Sequence, residues 1–431
     1  YLIIGLACML IGFWGRRRKP KSSVFYSKEG FAAVALSWII LSLIGALPMY
    51  LTGEFPSYID ALFETISGFT TTGSSILSDV ETLSRGTAFW RCFTHWIGGM
   101  GVLVFIMAVM PLSDSSSMHL MRAESPGPSV GKLVPKVKTT AMILYGIYVV
   151  FTVIEIIALL IAGMPLFDSM TLTFGTVGTG GFGLLSSSIA SYSTAVQIII
   201  TVFMIICSIN FTVYYMFLIK RPKEALMCEE MRYYLLIVFG SALLIAFNIR
   251  ASFASFGKAF QQAIFQVASV ISTTGFATAD FNLWPEFSRM ILVLLMFVGA
   301  CAGSTGGGMK VSRFLLSVKS ALRELNSYLF PKSIKKIKMD GKTVDEEAIR
   351  GINVYFTAYM LLVILSTFLV CIDGTDLVSG FSSVLGTFNN IGPGLSLVGP
   401  TCNFGFFNNF SKYILMFDML AGRLELFPLL I

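Results

Sequence analysis

The chain has 431 residues, 55% of them hydrophobic and 13% charged, with a net charge of +7 and a mean hydropathy of +0.77. Soluble domains carry about 25% charged residues, so this composition belongs to an integral membrane protein. The basic surplus lies in loops between apolar runs, which is the pattern of an oriented membrane protein and excludes a nucleic-acid binder.

The chain starts at Tyr1 and reads as an excerpt of a longer protein. Residues 1–14 are apolar and precede "GRRRKPK". A signal peptide carries its charge before the apolar core, so 1–27 is expected to be the end of an additional N-terminal membrane helix and a basic linker. Beyond it, runs of about 20 apolar residues, enough to span a bilayer, recur at 30–51, 90–110, 140–163, 196–219, 232–249, 288–309, 350–372 and 411–431. They form four pairs.

Within each pair lies a shorter amphipathic segment followed by a turn rich in Gly, Thr or Asn. The four are "YIDALFETISGFTTTGSS" (58–75), "LFDSMTLTFGTVGTGGF" (166–182), "FQQAIFQVASVISTTGFATADF" (260–281) and "LVSGFSSVLGTFNNIGPGLS" (377–396). Recurrence at this spacing marks an internal repeat. The expected fold is an all-α membrane protein of four fused membrane–pore-loop–membrane repeats around a pseudo-fourfold pore. The expected units are 28–111 (repeat 1), 112–219 (repeat 2 with its preceding cytoplasmic loop), 220–309 (repeat 3 with a broken last helix), 310–349 (a basic cytoplasmic loop) and 350–431 (repeat 4).

The stretches 16–28, 112–138, 220–232 and 310–350 hold 24 of the 31 Lys and Arg residues. The positive-inside rule puts them in the cytoplasm, so the four short segments enter from the outer face. Glu54, Asp60, Asp79, Glu81, Asp280, Glu286, Asp373 and Asp376 are then expected to line the outer mouth, where their summed field concentrates cations.

Non-helical backbone is tolerated at membrane depth only where it is buried in protein or lines a water-filled cavity. A ring of four such loops meets that condition, with carbonyls replacing the hydration shell of a cation. Aligned on a shared glycine, the loops read Thr71-Thr72-Gly73, Thr176-Val177-Gly178, Thr273-Thr274-Gly275 and Asn390-Ile391-Gly392. The second continues as Thr179-Gly180, giving TVGTG, one residue from the potassium-channel filter TVGYG.

In the sixth segment, "GACAGSTGGGMK" (299–310) is too glycine-dense for a stable helix. Gly303, Ser304, Thr305, Gly306, Gly307 and Gly308 are expected to form a flexible loop across the pore below the filter. The alternative is close helix packing through small residues. Lys310 is expected to reach the cytoplasmic interface. Arg423, in "MLAGRLELF", is an intramembrane arginine, a costly placement that usually faces a cavity or a partner. An ion pair with Glu425 or Asp418 is the alternative. His95, near one end of an apolar run, reads as interfacial. The seven cysteines include no CxxC pair and imply no disulfide framework.

Together the four loops, "HWIGGMGVLVF" (95–105), "GACAGSTGGGMKVSR" (299–313) and "AGRLELFP" (421–428) resemble the Trk/Ktr/HKT superfamily of potassium transporters, in particular its TrkH-type bacterial membrane subunit. The resemblance covers essentially the whole chain. It implies potassium uptake with K+ as the transported ion, no organic cofactor in this chain, a homodimer in the bacterial inner membrane and a cytosolic nucleotide-binding regulator. It also implies an intramembrane gate loop at 303–308 and a pore-facing Arg423 that raises the barrier to free cation leak. In the plant branch, serine at the first-loop glycine goes with sodium transport, so Gly73 favours potassium. Only the first glycine is common to all four loops, which implies a short filter of modest selectivity.

Two rivals remain. A symporter with alternating access, coupling K+ to H+ or Na+, typically shows inverted repeats and helices broken at the midplane, whereas here every repeat has the same orientation. An intramembrane enzyme needs a nucleophile–base or HExxH constellation, and the apolar segments contain none.

Overall fold

A computed structural model describes residues 1–17, 27–101, 137–331, 335–426 and 429. Its described residues are mostly helical. Helix α1 (Leu2–Arg16) leads to α2 (Ser27–Leu51) and the short α3 (Tyr58–Phe69), followed by α4 (Arg85–Gly99). The same succession recurs as α5 (Val137–Ile161), α6 (Leu166–Val177) and α7 (Thr194–Cys207), the last continued by α8 (Phe211–Leu218). After α9 (Pro222–Met227) come α10 (Glu229–Ile249), α11 (Phe256–Ile271) and α12 (Glu286–Val298), which resumes as α13 (Val311–Leu329). A two-residue hairpin, β1 (Lys338–Met339) and β2 (Lys342–Thr343), precedes α14 (Glu346–Cys371), α15 (Leu377–Phe388) and α16 (Asn409–Arg423).

Helices α2, α5, α10 and α14 contain the four described stretches that are long and apolar enough to cross a membrane unbroken. The second helix of each pair differs from the expected full span. Helices α4, α7, α12 and α16 stop after 15, 14, 13 and 15 residues. Close backbone approach explains two of these stops. A Cβ on Gly98 would lie 1.8 Å from the carbonyl oxygen of Phe69, and one on Gly422 would lie 1.8 Å from that of Phe388. Between α7 and α8 the chain turns by 88°. Of the expected run 90–110, residues 102–110 lie outside the described residues, as does most of 112–138.

The short helices α3, α6, α11 and α15 each pack between the two longer helices that flank them in the chain. Contacts between these helix groups then run in one direction: α4 packs on α6, α7 on α11, α12 on α15 and α16 on α3. The last contact closes the circuit. Ser57, Ser255 and Asp376 cap α3, α11 and α15 by accepting from the amides of Asp60, Lys258 and Ser379, which satisfies N–H groups that the first turn leaves free.

The basic stretch 310–349 is not a plain loop. The helix interrupted at Val298 resumes at Val311, with Val311, Leu315 and Leu316 buried and Arg323 partly exposed and paired with Glu346. Its apolar spacing is that of an amphipathic helix.

Candidate functional site

Each short helix ends in the same hydrogen-bonded motif. The amides of Thr71, Thr179, Thr273 and Asn390 donate to the carbonyls of Gly68, Thr176, Val270 and Thr387, all at 3.1 Å. The following amides of Thr72, Gly180, Thr274 and Ile391 reach back to Ser67, Gly175, Ser269 and Gly386 at 2.7–2.9 Å. This paired closure is a Schellman motif, which needs a left-handed residue just past the helix. Thr71, Thr179, Thr273 and Asn390 have φ of +56°, +55°, +60° and +54°. Glycine usually fills such a position, and a non-glycine there costs on the order of 1–3 kcal/mol. Four strained residues in one repeated place put side-chain oxygens where glycine would put none.

Two residues further on stand Gly73, Gly181, Gly275 and Gly392, with φ between +78° and +94°. A Cβ on Gly73 would lie 2.1 Å from the carbonyl oxygen of Gly180. On Gly181 it would lie 1.9 Å from that of Thr274, on Gly275 2.1 Å from that of Ile391, and on Gly392 2.7 Å from that of Thr72. Each loop thus presses its glycine against a carbonyl of the next, and the fourth returns to the first.

This geometry corrects the sequence register of the second loop by three residues. Thr176 and Val177 form the last turn of α6, and Gly178 is its C-cap, in the place of Thr70, Ser272 and Asn389. The counterpart of Gly73 is Gly181, and the loop reads Thr179-Gly180-Gly181. The likeness to TVGYG is accidental, because the helix continues through its first two residues. The signal for the right register lies in "TGGF" (179–182), which matches "TTGF" (273–276) through the phenylalanine after the glycine.

Helix α4 braces two neighbouring loops. Arg91 pairs with Glu64 of α3 at 2.5 Å, both buried, and donates to the Gly183 carbonyl at 3.1 Å. Glu64 also accepts from the Ser75 hydroxyl and the Ile76 amide. His95, one turn further along, is fully buried rather than interfacial. The sequence offered no sign of this bracing, because a polar residue near the end of an apolar run usually faces the interface.

The stretch 299–310 lies against the ends of the third and fourth loops. The Gly307 amide donates to Thr273 Oγ1 at 2.6 Å, and Cβ atoms on Gly306 and Gly307 would lie 2.8 and 2.7 Å from the carbonyls of Ser272 and Asn389. Its ends are anchored by Glu230 of α10, a buried carboxylate whose Oε1 accepts from the amides of Ala302 at 2.7 Å and Ser312 at 3.0 Å. Glu230 sits in a charged stretch that reads as solvated, so sequence reasoning missed it. Cys301 and Phe211 complete the attachment, the first donating to the Ser208 carbonyl and the second to that of Gly303.

Lys310 does not extend to the interface. It is buried and donates through Nζ to the Gly306 carbonyl within its own loop. Arg423 is half-buried and donates to the carbonyls of Thr305 at 2.9 Å, Gly99 at 2.8 Å and Gly98. Its guanidinium therefore joins the glycine loop to the end of α4. The expected alternative partners are engaged elsewhere: Glu425 pairs with Arg313, and Asp418 accepts from the Ser366 hydroxyl. Gly306, Gly307, Gly308, Lys310, Arg423 and Gly99 line one cavity.

Most of the acidic residues expected at the outer mouth hold loops together. Asp60 is buried and pairs with Lys412 at 2.7 Å. Asp79 and Glu81 accept from Ser186, and Asp373 accepts from Asn408 and Ser411. The Ser379 hydroxyl and amide beside Asp376 hold its carboxyl below the usual carboxylate range.

Among the described residues, no three His, Cys, Asp or Glu side chains stand together as metal ligands. The oxygens gathered at the four loops are backbone carbonyls, hydroxyls and one amide. Two of them, Thr71 Oγ1 and Asn390 Oδ1, are buried without a hydrogen-bond partner.

A family model described as TrkH, cation transport protein, matches residues 5–431. The Trk system potassium uptake protein TrkH of Salmonella typhimurium is 37% identical, over 99% of this chain and 89% of the relative. The Trk system potassium uptake protein TrkG of Escherichia coli is 31% identical, over 98% and 88%. The crystal structure of the potassium transporter TrkH from Vibrio parahaemolyticus superposes with a TM-score of 0.86 at 33% identity, covering 96% of this chain and 86% of that one.

Proposed function

We propose that this chain, which belongs to the TrkH family of cation transport proteins, takes up potassium across a bacterial inner membrane through a gated, channel-like pore. It is a transport protein and not an enzyme, as its relatives are. The observation that carries the reading is the cyclic contact of Gly73, Gly181, Gly275 and Gly392 with carbonyls of successive loops.

The filter of this proposal consists of Thr71-Thr72-Gly73, Thr179-Gly180-Gly181, Thr273-Thr274-Gly275 and Asn390-Ile391-Gly392. Its chemistry follows from the backbone. Potassium is a weakly hydrated monovalent ion, and a ring of carbonyl dipoles replaces its water without binding it too tightly to leave. The C-terminal ends of α3, α6, α11 and α15 meet the loops and bring the negative ends of four helix dipoles to the ion. The unpartnered oxygens of Thr71 and Asn390 are free to accept a hydrated or partly dehydrated cation at the base of the ring.

The gate is the loop 303–308, held against the filter base by Gly307 and Thr273 and latched by Arg423. With Gly303, Ser304, Thr305, Gly306, Gly307 and Gly308 in this place, the path below the ring is blocked. Arg423 and Lys310 add positive charge beside the path and raise the barrier to cations. The chain works as a homodimer under a cytosolic nucleotide-binding regulator, which would act on the basic side where α13 leaves the gate loop.

Rubidium flux into liposomes tests this reading. Rubidium and potassium should exchange ahead of sodium by the modest margin that a short filter gives, and flux should rise when the cytosolic partner is added. Equal permeation of sodium, or saturable exchange without unitary currents, would favour the symporter.

A further inference from the structure

His95 occupies a place that belongs to the ring itself. At the second position of the loops stand Thr72, Thr274 and Ile391, but in loop two Gly180. A Cβ on Gly180 would lie 2.1 Å from Cγ of His95 and 2.2 Å from its Nδ1. The imidazole, contributed by the neighbouring repeat, therefore fills the space of the side chain that this loop lacks.

Its two nitrogens have fixed roles. Nδ1 lies 2.8 Å from the Gly68 carbonyl, which can only accept, so Nδ1 carries the proton. Nε2 accepts from the Phe182 amide at 3.2 Å, so it is unprotonated. Gly68 is the same carbonyl that closes the Schellman turn of loop one by accepting from Thr71. Phe182 is the residue directly after the filter glycine Gly181. The ring of Phe182 is itself held between His95, at 4.3 Å between centroids, and the Arg91 guanidinium, at 3.6 Å.

We propose that His95 is a positioning residue for ion selection, bridging the helix end of loop one to the exit of loop two and thereby setting where the Gly180 and Gly181 carbonyls stand. The inference rests on the potassium reading above. Without the bridge, the loop with two adjacent glycines is the least constrained quarter of the ring, because it alone lacks a side chain at its second position. The filter then fits sodium and potassium more equally, while the fold around it is kept by the Glu64–Arg91 pair.

The test uses the full chain in liposomes with the cytosolic partner present and reads the rubidium-to-sodium flux ratio, which a merely structural role does not move. His95→Phe fills the space without either nitrogen. His95→Gln places an amide near Nε2 and keeps the bond to Phe182, whereas His95→Asn reaches only Gly68. Each amide variant cuts one half of the bridge, so the ratio should fall about threefold to tenfold in both the Gln and Asn variants, the range for loss of one net hydrogen bond, and at least as far in the Phe variant. A wild-type ratio in the Phe variant, or in both amide variants, overturns the proposal. Should the Phe variant fail to fold, the Gln and Asn variants decide alone. Absence of rubidium flux in the unaltered chain with the cytosolic partner present is a separate result: it overturns the potassium reading and this inference with it.

Discussion

Gly181 faces Thr274 so closely that a Cβ on the glycine would stand 1.9 Å from the threonine carbonyl oxygen, and Gly73 faces Gly180 in the same way at 2.1 Å. Both glycines have positive φ, +80° and +78°. Any side chain there collides with backbone, which cannot swing aside as a flexible side chain can. The ring is therefore intolerant of substitution at these places for two independent reasons, space and backbone conformation.

Gly73→Ser should lower potassium-over-sodium selectivity while the protein still reaches the membrane. Bi-ionic reversal potentials check it. An unchanged reversal potential would remove Gly73 from the filter.

The register of loop two separates two neighbouring residues. Val177 is buried among Tyr148, Cys207 and Phe211, behind the ring. Val177→Ala should cost on the order of 1 kcal/mol of stability through the cavity it leaves, with selectivity intact. Thr179→Ala should change selectivity with little loss of stability. Thermal unfolding and flux ratios measured on both variants distinguish this register from the one centred on Gly178, which predicts the reverse.

Glu230 holds both flanks of the glycine loop 303–308 through one carboxylate oxygen. Hydrogen bonds to a charged acceptor contribute about 1.5–3 kcal/mol, and neutralising it weakens two at once. Glu230→Gln should raise basal rubidium flux on the order of tenfold in the absence of the cytosolic partner. Basal flux equal to that of the unaltered chain would show that the loop is held by other contacts.

Arg423 joins Thr305 to Gly98 and Gly99 through a planar fork of donors. Arg423→Ala should increase partner-independent flux, and so should shortening the loop within 303–308. Arg423→Lys should restore only part of the block, since a single ammonium cannot reproduce the forked geometry. Full restoration by lysine would assign the effect to charge alone.

The long helices α2, α5, α10 and α14 were legible as unbroken apolar runs, and the short helices as amphipathic stretches ending in Gly, Thr or Asn. The ends of α4 and α16 were not legible, because they lie where backbones approach across the interior, as at Gly98 and Phe69 and at Gly422 and Phe388. The register of loop two was hidden by a local sequence that imitates a known filter. In that stretch the helix continues to Val177, since packing of Val177 and the cap at Gly178 outweigh the glycine content. His95, Arg91 and Glu230 were missed for a common reason. Each is a polar residue whose partners lie far away in the chain, and no local pattern announces such a contact.

The central claim is that the carbonyls of Thr72, Gly180, Thr274 and Ile391 surround one cation path. Anomalous diffraction from crystals grown in rubidium chloride tests it most directly. A rubidium peak should lie within the ring formed by those four carbonyls, and it should weaken in crystals of Gly73→Ser. Rubidium bound only outside that ring would contradict the account.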